Sequence, residues 1–121
     1  MPITRCNAAG SRILLGLALL SASVALLSPG SEAPLPFAHA DKLVHAAMFL
    51  LLAFFADAGW PHLGFVPRKY LALLGYGVAV EVLQHYIPLR SFDVLDIIAD
   101  GAGLLLYGLL LLPLLRRYQI R

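Results

Sequence analysis

Residues 81–100 read E-V-L-Q-H-Y-I-P-L-R-S-F-D-V-L-D-I-I-A-D. Glu81, Gln84, His85, Arg90, Asp93, Asp96 and Asp100 stand here between two apolar runs, and Pro88 falls between them, where it stops one helix before the next begins. The stretch therefore reads as a helical hairpin that carries most of the chain's unusual polarity. Its surroundings decide the medium. With 60% hydrophobic residues, 13% charged and a mean hydropathy of +0.82, the chain has too little polar surface to coat a soluble globule. The expected fold is an all-α membrane protein, and 121 residues allow a single membrane domain of a few spans over residues 1–121.

Working outward, the run before the hairpin starts after Arg68 and Lys69, and the run after it ends at Arg116, Arg117 and Arg121. Upstream, Asp41 resembles an N-cap for a helix through Lys42 and His45 that stops at Gly59-Trp60-Pro61. Trp60 suits a membrane interface. The first apolar run, 13–27, follows Arg5 and Arg12 and stops at Ser28-Pro29-Gly30. Its basic start also fits a cleaved signal peptide, but Pro34 directly after Ala33 makes a poor cleavage site, so it is read as a span. Transmembrane helices are thus expected at about 12–28, 42–58, 69–87 and 93–115, forming a four-helix bundle.

Basic residues orient the bundle. Arg5, Arg12, Arg68, Lys69, Arg116, Arg117 and Arg121 fall on one side, against Lys42 and Arg90 on the other. Both termini are therefore expected in the cytoplasm, with the hairpin tip at the outer face. The basic residues form no extended patch, which excludes nucleic acid as a partner. The single cysteine, Cys6, has no internal disulfide partner.

At the outer end the polar residues converge. Asp41 and His45 share a helix face at i, i+4, as do Glu81 and His85, while Asp93, Asp96 and Asp100 fall on one arc. Counted from the hairpin, Glu81 and Asp100 are expected level with each other, about 10 Å below its tip. Ionisable groups at such depth are costly and mark functional positions. Glu81, His45, His85, Asp96 and Asp100 are the catalytic candidates; Lys42, Gln84 and Arg90 are candidate ligand-binding groups. Asp41 and Asp93, at helix starts, suit capping. Deep carboxylates need a shared proton, a basic partner or a metal ion. Glu81-x-x-x-His85 with Asp96-x-x-x-Asp100 offers nitrogen and oxygen ligands for a divalent metal without matching a known signature. Asp57 is expected to meet Arg68 or Lys69, and His39 and His62 stand in loops. No G-x-S-x-G, Walker loop, H-E-x-x-H or dinucleotide fingerprint occurs.

Asp41-Lys42-x-x-His45 opening one span, Glu81-x-x-Gln84 closing the next, and Pro88-x-Arg90-x-x-Asp93-x-x-Asp96 before a helix with Gly101, Gly103 and Gly108 together resemble the VanZ-like family of small bacterial membrane proteins, over about residues 41–108. Asp100 departs from the family pattern, which often has Asn there. The resemblance implies a multi-pass bacterial inner-membrane protein, in a family whose namesake is associated with teicoplanin-type glycopeptide resistance, and it implies no settled activity. The residues themselves support two readings. In one, an outward-facing polar pocket binds or modifies an anionic envelope lipid or precursor; in the other, the polar residues staple the helices of a noncatalytic membrane module that works with a protein partner.

Overall fold

Four helical runs and one short 3-10 turn make up the computed structural model, which describes residues 3–28, 40–63, 67–88 and 92–118. Helix α1 spans Ile3–Leu27, α2 Ala40–Gly59 and α3 Pro67–Gln84. Helix α4, Val94–Leu106, continues through a π-helical segment, Tyr107–Leu111, into α5, Leu112–Arg117. No strand occurs among the described residues. The connection 29–39, which includes His39, and also Arg90 and Arg121, lie outside them.

The helix boundaries follow from local chemistry. Helix α2 ends at Gly59, with the 3-10 turn Pro61–Leu63 beyond Trp60, and Pro67 opens α3. Asp93 has extended backbone geometry and accepts a hydrogen bond from the Leu95 amide at 2.9 Å, which makes it the N-cap of α4. The π-helical segment has a cause in Pro113, which cannot donate to the carbonyl four residues earlier; the Leu112 amide instead reaches back to Tyr107 O.

Three stretches are long and apolar enough to cross a membrane: Ala8–Leu27, Ala40–Gly59 and Val94–Arg117. Helix α3, at 18 residues, carries Arg68, Lys69 and Glu81, so its composition alone does not mark it as a span. Its length, about 27 Å, still approaches a bilayer core of roughly 30 Å.

The partition of side chains is inverted relative to a soluble protein. Exposed positions on α1 include Ile13, Leu17, Leu20 and Val24, whereas Asp57 and Glu81 are 0% exposed and Asp100 is 1% exposed. Such a surface suits hydrocarbon, with polar groups turned inward. The apolar core joins Phe49, Leu52, Ala53, Leu73, Leu104 and Tyr107. Helix α2 lies at the centre, packed most extensively on α4 and α1. Its approach to α4 is set by Gly103, where a Cβ would collide with the carbonyl of Ala46. Ser23 of α1 and Tyr76 of α3 share a 2.8 Å hydrogen bond across the bundle.

Candidate functional site

The polar residues gather where the start of α2, the end of α3 and the start of α4 meet. Helix α2 begins at Ala40, so Asp41 lies inside the first turn instead of capping it, and Lys42 and His45 follow on the inward side. Lys42 Nζ is enclosed by three carboxylates: Asp41 Oδ2 at 2.5 Å, Asp93 Oδ2 at 2.6 Å and Asp96 Oδ1 at 2.6 Å. The contact with Asp96 is an ion pair. Asp41, Asp93 and Asp96 have the spacing of a cation site, and the Lys42 ammonium is the cation among them.

One turn deeper, His45 Nδ1 pairs with Asp100 Oδ1 at 2.8 Å, and His45 Nε2 stands 3.8 Å from Asp96 Oδ2. Glu81 reaches the same place from α3. Its Oε2 accepts the backbone amide of Asp93 at 3.1 Å, which joins the end of α3 to the cap of α4. Its Oε1 is buried and has no hydrogen-bond partner among the described residues. His45, Glu81 and Asp96 are all buried, and each offers a ligand atom within 4.8 Å of the others.

Carboxyls outnumber basic groups at this site. Asp41, Glu81, Asp93, Asp96 and Asp100 face only Lys42 and His45 among the described residues. In a low dielectric such an excess calls for a bound proton or a further cation.

Beyond Asp41, three sequence expectations are not met. Helix α3 ends at Gln84 and residues 85–88 turn away, so His85 is exposed and packs edge-on against Tyr86, with ring centroids 5.2 Å apart. It is not brought to the cluster. Gln84 is buried, but its amide donates to the carbonyl of Leu26 at 2.7 Å, closing the end of α1. Glu81 and Asp100 are not level. Glu81 meets the cap of α4, whereas a Cβ on Gly77, one turn below Glu81, would touch the Asp100 carboxyl. The early end of α3 raises Glu81 by about a turn.

At the opposite end a second buried polar group forms. Lys69 Nζ lies 3.5 Å from Asp57 Oδ1 and donates to Trp60 O at 2.9 Å, closing the carboxyl end of α2. The expected Asp57–Lys69 pairing is therefore present. Sequence reasoning missed that the Tyr107 hydroxyl donates to Asp57 Oδ2. It also missed that Arg12 donates to Gly59 O at 2.7 Å with its guanidinium 5.1 Å from the Trp60 ring. The Pro113 that sets the π-helical segment carrying Tyr107 was the available signal. An apolar groove of about 360 Å³ opens at this end, lined in part by Leu15, Leu19, Trp60 and Tyr76.

A family model described as VanZ/LLP1 matches residues 9–116, well beyond the stretch that carries the motif resemblance. No curated protein matches the chain, and no solved structure does.

Proposed function

The chain belongs to the VanZ/LLP1 family, and from that premise we propose that its His45–Glu81–Asp96–Asp100 cluster is an acid–base and ligand site at the outer face of the bacterial inner membrane. The ligand class is the polar headgroup of an envelope lipid or lipid-linked precursor. In this reading all four helical runs cross the bilayer, α3 being shielded by its neighbours, and both termini are cytoplasmic. The charge asymmetry between Arg12, Arg68, Lys69, Arg116 and Arg117 at one end and Lys42 at the other supports that orientation.

The observation that carries the proposal is Glu81 Oε1, a buried carboxyl oxygen with no hydrogen-bond donor among the described residues, beside His45 and Asp96. Left ionised and without a donor, that oxygen is costly to bury. A ligand donor or a transferred proton satisfies it. Lys42 is held by its three carboxylates, so an anionic group on the ligand is assigned to Arg90, which the sequence places between α3 and α4. Binding is the minimum; hydrolysis or group transfer would use His45 and Glu81 as proton carriers. The envelope connection makes a contribution to glycopeptide tolerance the expected cellular readout.

Native mass spectrometry of detergent-purified protein with phosphatidylglycerol and with a lipid-linked envelope precursor tests this. The expected result is retention of one class by wild type and its loss in folded Arg90→Ala and Glu81→Gln. Equal retention by all three proteins would sink the proposal.

The Lys42 arrangement favours a second reading. An ammonium bridging carboxylates of α2 and α4, with Gln84 tying α3 to α1, is also how a noncatalytic module would staple its helices before engaging a protein partner. Under that reading every polar substitution here lowers stability and none changes lipid retention.

A further inference from the structure

Three buried side chains meet at this site, two of them with one atom held by a hydrogen bond and the third paired with Lys42. His45 Nδ1 is held by Asp100 at 2.8 Å. Glu81 Oε2 is held by the Asp93 amide at 3.1 Å. Asp96 Oδ1 faces Lys42 at 2.6 Å. His45 Nε2, Glu81 Oε1 and Asp96 Oδ2 make no hydrogen bond among the described residues, and Nε2 and Oδ2 are separated by 3.8 Å.

The anchoring has the pattern found behind metal ligands. A carboxylate that accepts from one imidazole nitrogen puts the proton there, leaving the other nitrogen as a lone-pair donor and fixing the ring plane. Asp100 stands in that position toward His45. Two donors on one zinc ion lie roughly 3–4 Å apart, given metal–ligand bonds of about 2.0–2.2 Å. The 3.8 Å between Nε2 and Oδ2 falls in this range, and the ligand atoms of all three residues lie within 4.8 Å of one another. The acid excess of the site supplies the electrostatic reason for a cation, and Glu81 Oε1, buried with no donor among the described residues, supplies a ligand atom for it.

We infer that His45, Glu81 and Asp96 form a binding site for a divalent transition-metal cation of the zinc or manganese type, with Asp100 as the positioning residue behind His45. Three protein ligands leave a further coordination position for water or a ligand oxygen. The inference deepens the proposed function by naming what the cluster holds, and it rests on that reading only in treating the cluster as a site.

The test uses tag-free, detergent-purified full-length protein, stripped with EDTA and titrated with Zn²⁺ and, separately, Mn²⁺, with no lipid added. Wild type is expected to take up about one metal ion per chain, with a rise in melting temperature. Asp100→Asn is expected to fold and to bind roughly 10–100-fold more weakly, and Glu81→Gln to lose stoichiometric binding. Tyr107→Phe, at the opposite end of the bundle, controls for lost stability and is expected to bind as wild type does. A cooperatively melting wild type that takes up neither metal overturns the inference, as does wild-type affinity in Glu81→Gln. If Glu81→Gln does not fold, wild-type stoichiometry and the Asp100→Asn affinity decide the matter. Because lipid is absent, a negative result leaves the headgroup proposal standing, and loss of that proposal leaves a measured metal site intact.

Discussion

Gly103 of α4 lies against the backbone of Ala46 in α2 so closely that a Cβ at 103 would meet the Ala46 carbonyl. The same contact sets how near the start of α4 comes to His45. Backbone cannot yield as a flexible side chain would, so Gly103→Ala is expected to cost about 1–3 kcal/mol, the range for overpacking. Gly16, where nothing lies within 4 Å of an added Cβ, is the control. Gly16→Ala is expected to be neutral, or stabilising by up to about 1 kcal/mol through helix propensity. Reversible unfolding in detergent measures both, and equal effects at the two glycines would contradict the close packing.

Lys42→Met removes the ammonium from between Asp41, Asp93 and Asp96. Uncompensated buried carboxylates usually cost 3–5 kcal/mol; with Asp41 and Asp93 partly exposed, about 2–4 kcal/mol is expected. The sign with pH follows from linkage. The carboxylates repel when ionised and are neutral when protonated, so the deficit is largest at high pH and shrinks as pH falls. Melting temperatures of wild type and variant across a pH series read this directly, and a gap independent of pH would show that the lysine acts through packing alone.

Tyr107→Phe deletes the hydroxyl that donates to Asp57, a residue with no exposed surface. Loss of one partner from a buried acceptor is expected to cost about 1–3 kcal/mol. Lys69→Met acts on the same carboxylate, so the two changes should be non-additive by at least about 0.5 kcal/mol. Strict additivity in a double-mutant cycle would mean that the two contacts do not share Asp57.

Ser23 and Tyr76 join α1 to α3. Hydrogen bonds between membrane helices average about 0.6 kcal/mol in such cycles. Ser23→Ala with Tyr76→Phe is expected to give a coupling near that value, and a coupling of zero would remove this bond from the account of how α1 is held.

The sequence made the helical class and the main partners of the site legible because both rest on spacing. Asp41 and His45 share a helix face, as do Asp93, Asp96 and Asp100, and the structure joins the two sets, with Lys42 between them. Register between helices was not legible. Pro88 marked where α3 had to have stopped, yet the helix ends at Gln84, and that shift turned His85 outward and lifted Glu81 above Asp100. A hydrophobic run also does not reveal which polar atoms reach across to another helix's backbone, so the Gln84–Leu26 and Arg12–Gly59 bonds were unreadable. Tyr107 gave no charge signal, and its role depends on a π-helical segment whose only trace in the sequence is Pro113.

Lys42 and Asp93 stand 51 residues apart in the chain. A ribosome delivering this protein to the bilayer from its N-terminus releases the lysine well before it makes the aspartates that will neutralise it. During that interval α2 holds its ammonium with Asp41 alone, so its stay in the membrane is provisional and becomes secure only when α4 arrives. Assembly is therefore gated by α4. A nascent chain truncated before Val94 is expected to be cleared faster in a pulse-chase than one that includes α4, which would make emergence of α4 the checkpoint for membrane residence.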